Sequence, residues 1–151
     1  MATLWYQQIN TSKRFSVGTI KRQNGNEYVY TPGVASLAAG DFVQLSAATF
    51  TTARLLTTTP TTGLVGVAMS ANTSTTNYGW VQTRGRFTTA NVASATTIVG
   101  KALFATSTAG RCTTTPATEA SVIGAFADGD AVLNVGAVQL NNPSYQGDIS
   151  T

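Results

Sequence analysis

Few residues of this chain are of a kind that does chemistry. Histidine is absent, which removes His-based catalytic dyads and triads and His-containing metal sites. Cys112 is the only cysteine. It cannot form an internal disulfide, and with no histidine as base it makes a poor nucleophile, so it reads as a small buried strand residue. The carboxylates are Glu27, Asp41, Glu119, Asp128, Asp130 and Asp148. Most stand in turn-like sequence, whereas paired-acid hydrolysis needs two in one cleft. Asp128-Gly-Asp130 has the form of a calcium ligand pair, but calcium takes roughly six to eight oxygens and no loop nearby supplies them, so the segment reads as a hairpin turn. No phosphate-cradling Gly-rich loop and no dinucleotide fingerprint occurs. These residues predict a protein that is not an enzyme and has no cofactor and no metal site.

The remaining chemistry is that of contact. Lys13, Arg14, Lys21 and Arg22 concentrate the net charge of +3 near the start of the chain, interleaved with Trp5, Tyr6, Phe15, Tyr28 and Tyr30. Arg84 and Arg86 flank Gly85 and, on a strand, share a face with Trp80. A basic patch of this size is too small for specific nucleic-acid binding. Aromatic residues beside arginine suit protein interfaces instead. Charged residues make up only 10% of the chain, against about 25% in ordinary soluble domains, which points to a surface packed against other protein. Residues 1–33 are therefore expected to form an arm that docks on a neighbouring subunit, the alternative being the first hairpin of the domain.

The elements that carry these residues read as strands. Threonine, valine and glycine dominate, a composition suited to pleated surfaces and turns. Phe15 to Lys21 and Glu27 to Thr31 flank Gln23-Asn-Gly25-Asn, a hairpin signal. Strands are expected at Phe42–Leu45, Thr49–Leu56, Gly63–Met69, Tyr78–Arg86, Ala102–Thr106, Arg111–Thr115, Val122–Ala127 and Ala131–Leu140. Arg54-Leu-Leu-Thr-Thr-Thr-Pro60 returns as Arg111-Cys-Thr-Thr-Thr-Pro116, Gly40 matches Gly100, Gly66 matches Gly124 and Gly85 matches Gly136. A repeat of this length marks one supersecondary unit used twice. The predicted fold is all-β: a small antiparallel β-barrel or sandwich over 34–140, with pseudo-twofold repeat units at about 38–90 and 98–140, an extended N-terminal arm over 1–33, and an irregular tail over 141–151. The start lacks the basic and apolar regions of a signal peptide and no apolar run approaches membrane-spanning length. Synthesis in a cytoplasm without membrane contact is expected.

Ala39-Gly40-Asp-Phe-Val43, Val65-Gly66-Val-Ala68, Tyr78-Gly-Trp-Val-Gln82 with Gly85, Gly100 followed by Leu103 and Ala109-Gly110, and Ile123-Gly124 form, in that order and spacing, a pattern that resembles tailed-bacteriophage capsid decoration, or cement, proteins. The resemblance spans Ala38 to Leu140. It implies a compact β domain on the outer surface of the virion, made in the host cytoplasm, bound to the major capsid protein and associated with itself, typically as a trimer. On this reading the shell contacts are Trp5, Tyr6, Lys13, Arg14, Phe15, Lys21 and Arg22, with Trp80, Arg84 and Arg86 on the barrel. The alternative is a β-barrel module of a phage head or tail fibre that binds a host glycan through Trp80.

Overall fold

A computed structural model describes residues 4–55, 63–93, 99–115, 121–129, 132 and 134–146. These form ten strands in one antiparallel sheet: β1 (Ile20–Gln23), β2 (Asn26–Pro32), β3 (Phe42–Leu45), β4 (Thr52–Arg54), β5 (Leu64–Ala68), β6 (Tyr78–Asn91), β7 (Ala102–Ala105), β8 (Cys112–Thr113), β9 (Ser121–Ala127) and β10 (Val135–Gln146). The helical element among the described residues is a single 3-10 turn, Trp5–Gln7. The all-β antiparallel class is as the composition predicts. Asn24 and Gly25 turn β1 into β2 with φ of 52° and 81°, the left-handed pair that a two-residue hairpin needs.

The duplication is present in the hydrogen bonding. β3 pairs with β4 and β5, and β5 with β6; in the same way β7 pairs with β8 and β9, and β9 with β10. Gly40 N–H donates to Ala68 O at 2.8 Å and Ala68 N–H to Asp41 O at 2.9 Å; Gly100 N–H donates to Ala127 O at 2.8 Å and Ala127 N–H to Lys101 O at 3.0 Å. The two units meet along β6 and β10, which pair antiparallel from Val135–Asn91 to Asn141–Arg84. β2 extends the sheet beyond β6.

The sheet is not closed into a barrel, but its far edges are tied. Phe42 N–H donates to Gly110 O and Gly110 N–H to Leu55 O, both at 2.9 Å, and Ala93 N–H donates to Cys112 O at 2.6 Å. The curl encloses a core of Phe42, Leu55, Val65, Val67, Ala90 and Val92 against Leu103, Ala105, Cys112, Val122, Ala125, Ala127, Val138 and Leu140. On the opposite face of the first unit, Val43, Leu45, Ala68 and Val81 bury Val29 and Leu37, with Val34 and Phe50 packed beside them.

Several elements differ from the sequence reading: the first strand begins at Ile20 rather than Phe15, and β6 runs on past Arg86 to Asn91. β10 runs on to Gln146, so Asn141–Gln146 is strand rather than irregular tail. Its residues continue to pair with β9 through Gln146–Ser121 and reach β5 at Ser144–Leu64, and these ladder bonds override the local turn composition. The second expected strand shrinks to Thr52–Arg54. The proline-bearing connections around Pro60 and Pro116, the approach at 96–98, Asp130 and the last five residues lie outside the described residues.

A buried carboxylate joins the units. Asp41 is 2% exposed; its Oδ2 lies 2.8 Å from Arg54 Nε and accepts from Ala38 N–H at 2.9 Å, while Oδ1 accepts from Asn91 Nδ2 at 2.7 Å. The same Arg54 donates through Nη2 to Ala109 O at 2.9 Å, in the turn between β7 and β8. Replacing Asp41 with alanine leaves Arg54 unpaired at the seam, and urea unfolding should show a loss of about 3 kcal/mol. Arg86→Ala, which breaks an exposed pair with Asp128, should cost less than about 1 kcal/mol. Equal losses would contradict the assignment of Asp41 as the seam.

Candidate functional site: an aromatic cluster around Lys21

Alternation along two neighbouring strands builds the platform. Tyr28 and Tyr30 on β2 share a face, and the register Tyr30–Trp80 and Tyr28–Gln82 sets Trp80 beside them on β6. Trp80 is 3% exposed, Tyr28 3% and Tyr30 0%. Tyr30 also stacks on Tyr78, with centroids 5.7 Å apart and an interplanar angle of 16°. Burial pushes the Tyr28 phenol above its ordinary pKa; the hydrogen bond from Asn26 opposes this, and neighbouring Tyr6 adds to it.

The start of the chain folds back onto this platform. The 3-10 turn seats Trp5 edge-on against Trp80 at 4.9 Å and Tyr28 at 5.3 Å, and stacks Tyr6 on Tyr28 at 4.9 Å. Phe15 closes the other side, 5.3 Å from Tyr30 and 5.5 Å from Trp80. Asn10 and Tyr78 exchange backbone hydrogen bonds of 2.8 Å, and Trp5 Nε1–H donates to Gln23 Oε1 at 2.6 Å. Lys21, opposite Tyr28 on β1, holds its ammonium 4.1 Å from the Phe15 ring centroid, 5.0 Å from Trp5 and 5.3 Å from Trp80. The negative ring faces attract that charge. A hollow of about 150 Å³ remains between Trp5, Arg14, Phe15, Lys21 and Trp80.

The structure thus brings together Trp5, Tyr6, Phe15, Lys21 and Trp80. These side chains, expected to meet a neighbouring subunit, meet the chain's own β2 and β6. Lys13 and Arg14 stand exposed beside them. Arg22 and Arg84 belong to a different group: the registers Arg22–Glu27 and Glu27–Arg84 align them on either side of a carboxylate that is 7% exposed, with Arg22 Nε 2.8 Å from Glu27 Oε2. Arg84 makes no ion pair among the described residues, and lines with Arg22, Asn24, Asn26 and Glu27 an open hollow of about 400 Å³. Arg86 turns to Asp128 instead.

No family model, curated protein or solved structure matches the chain. The functional reading therefore rests on the side chains themselves. Among the described residues no group of three or more His, Cys, Asp or Glu could hold a metal ion. Cys112 is fully buried, and desolvation pushes its thiol well above the ordinary value.

The sequence reading missed two features. Tyr78 belongs to the platform, because Tyr78, Trp80 and Gln82 alternate onto one face; that spacing was visible, but nothing local told which neighbour it would meet. Ile123 and Phe126, both on β9, are 46% and 45% exposed; their strand resembles buried β5 in sequence.

Trp5→Ala should cost about 2 kcal/mol, the loss of a half-buried aromatic with three ring neighbours, and Lys21→Gln about 1 kcal/mol. Urea denaturation measures both; an unchanged midpoint for Trp5→Ala would mean that the N-terminal segment is not docked. Cys112 should resist a thiol reagent at pH 8 in the folded protein and react on unfolding.

Proposed function

We propose that this chain is a structural virion protein that binds the outer surface of a phage major capsid protein shell and cements it. It acts as a homo-oligomer, without catalysis, and without nucleic-acid or membrane contact, after synthesis in the host cytoplasm. One observation supports this above the others: unpartnered apolar side chains occur in separate places on a weakly charged chain. Leu4 and Ile9 are 48% and 39% exposed on the N-terminal segment, while Ile123, Phe126, Val132 and Val135 are exposed on the second unit. A protein that bridges neighbours needs more than one contact surface, and many copies acting together let each contact be weak.

The resemblance to capsid decoration proteins agrees with this arrangement. The aromatic residues expected at the shell act on this view as internal bracing, and the shell meets the row of Arg22, Glu27 and Arg84, where the guanidinium of Arg84, without an ion-pair partner among the described residues, offers a bidentate site for an acidic side chain. No observation favours the glycan reading. Trp80, on which it relied, lies beneath Trp5, Phe15 and Lys21 and presents no ring face to a sugar.

Mixed with expanded heads that lack it, the purified protein should co-sediment saturably and raise the temperature at which the heads disrupt. Arg84→Gln, which adds no like charge opposite Glu27, should weaken that binding about tenfold, or about 1.4 kcal/mol, with the unfolding midpoint little changed. Absence of co-sedimentation by the wild-type protein would remove the proposal.

A further inference from the structure

The two units are covered unequally. Backbone hydrogen bonding makes Gly40, Asp41 and Ala68 equivalent to Gly100, Lys101 and Ala127, so Phe42 corresponds to Ala102, and Val67 to Phe126. Phe42, Val65 and Val67 are fully buried because the second unit lies over them. The equivalent face of the second unit has no such cover among the described residues. Gly124, at φ 84°, sits where β9 shifts register against both β7 and β10, so that Val122 and Ala125 both face the core and Ile123 and Phe126 both face out. The register Ala102–Phe126–Gln139 extends this open face across three strands. The layers run in order: N-terminal cap, first unit, second unit, open face.

Charge along the chain is polarised in the same sense. Before Glu27 the only charged residues are Lys13, Arg14, Lys21 and Arg22; after Arg111 the only ones are Glu119, Asp128, Asp130 and Asp148. Lys21 is held by aromatic rings and Arg22 by Glu27, whereas Lys13 and Arg14 make no ion pair among the described residues. Leu4 and Ile9 flank the docked 3-10 turn, so presenting them requires little further ordering of the chain.

We propose that the open face of the second unit receives the N-terminal segment of a second copy of this chain, with Leu4 and Ile9 against Ile123 and Phe126, and Lys13 and Arg14 towards the carboxylates that follow Arg111 in the sequence. The contact is head-to-tail. It leaves the pair with one free surface of each kind, and such contacts close into a ring when the rotation between copies allows. This gives surfaces to the self-association in the proposed function and rests on that reading in this respect alone, since it needs no shell.

Sedimentation velocity and native mass spectrometry on the full chain test it with two complementary variants. One carries Ile123→Asp and Phe126→Asp, the other Leu4→Asp and Ile9→Asp; all four positions are exposed, and circular dichroism checks that the fold is kept. The wild-type chain should be oligomeric and dissociate as salt rises. Each variant alone should be monomeric, and the two mixed should give a 1:1 dimer and nothing larger, because each retains the surface that the other lacks. Lys13→Glu with Arg14→Glu, in an exposed loop where folding is not at stake, should weaken self-association about tenfold. A monomeric wild type, an oligomer from either variant alone, or a mixture that stays monomeric would each overturn the proposal. If the mixture dimerises but heads are not bound, the interface stands and the shell-binding reading falls.

Discussion

A sheet with apolar side chains on both faces must be covered on both, and this requirement governs the whole molecule. β3 and β5 send Val43, Leu45 and Ala68 one way and Phe42, Val65 and Val67 the other. Neither set can face water without losing the transfer free energy of several large side chains, at about 25 cal/mol per Å² of buried apolar surface. Residues 29–37 and Phe50 cover the first face; the second unit covers the other. Because the second unit has the same pairing pattern, it inherits the same two-sided requirement, and the described residues satisfy it on one side.

Specific polar and aromatic contacts fix how these layers meet. The Asp41 carboxylate accepts from Arg54, Asn91 and the Ala38 amide, and through Arg54 it reaches the turn between β7 and β8. A buried charge of this kind is costly unless fully paired, so it selects one register of the two units against any other. At the opposite end the aromatic cluster clamps the N-terminal segment on β2 and β6, with Lys21 fitted over the rings. The clamp orders the chain's start and leaves Leu4, Ile9, Lys13 and Arg14 displayed on an ordered support.

Much of this was legible in the sequence, because the signals were local. Asn24-Gly25 specifies its turn, and Phe42–Leu45 and Leu64–Ala68 emerge as read from their apolar runs. The duplication announced by Gly40 and Gly100 reappears as matching hydrogen bonds. What local sequence could not give is the direction in which a strand faces. In β5 and β9 both faces are apolar, so period-two alternation names no inside, and the register shift around Gly124 reverses the answer. Asn141 to Gln146 looked like a turn because its partners, β9 and β5, are distant in sequence. The role of Asp41 was hidden for the same reason, although one sign was available: Asp41 and Arg54 are oppositely charged, while their counterparts Lys101 and Arg111 are both positive, so the two copies were never electrostatically alike.

On the proposal that a second copy covers the open face of the second unit, hydroxyl-radical footprinting read by mass spectrometry measures that face directly. Phe126 and Ile123 should be oxidised readily in the dilute single chain and protected in the assembled protein, while Phe42 stays unlabelled in both. Protection of Phe126 already in the dilute chain, or equal labelling before and after assembly, would contradict it.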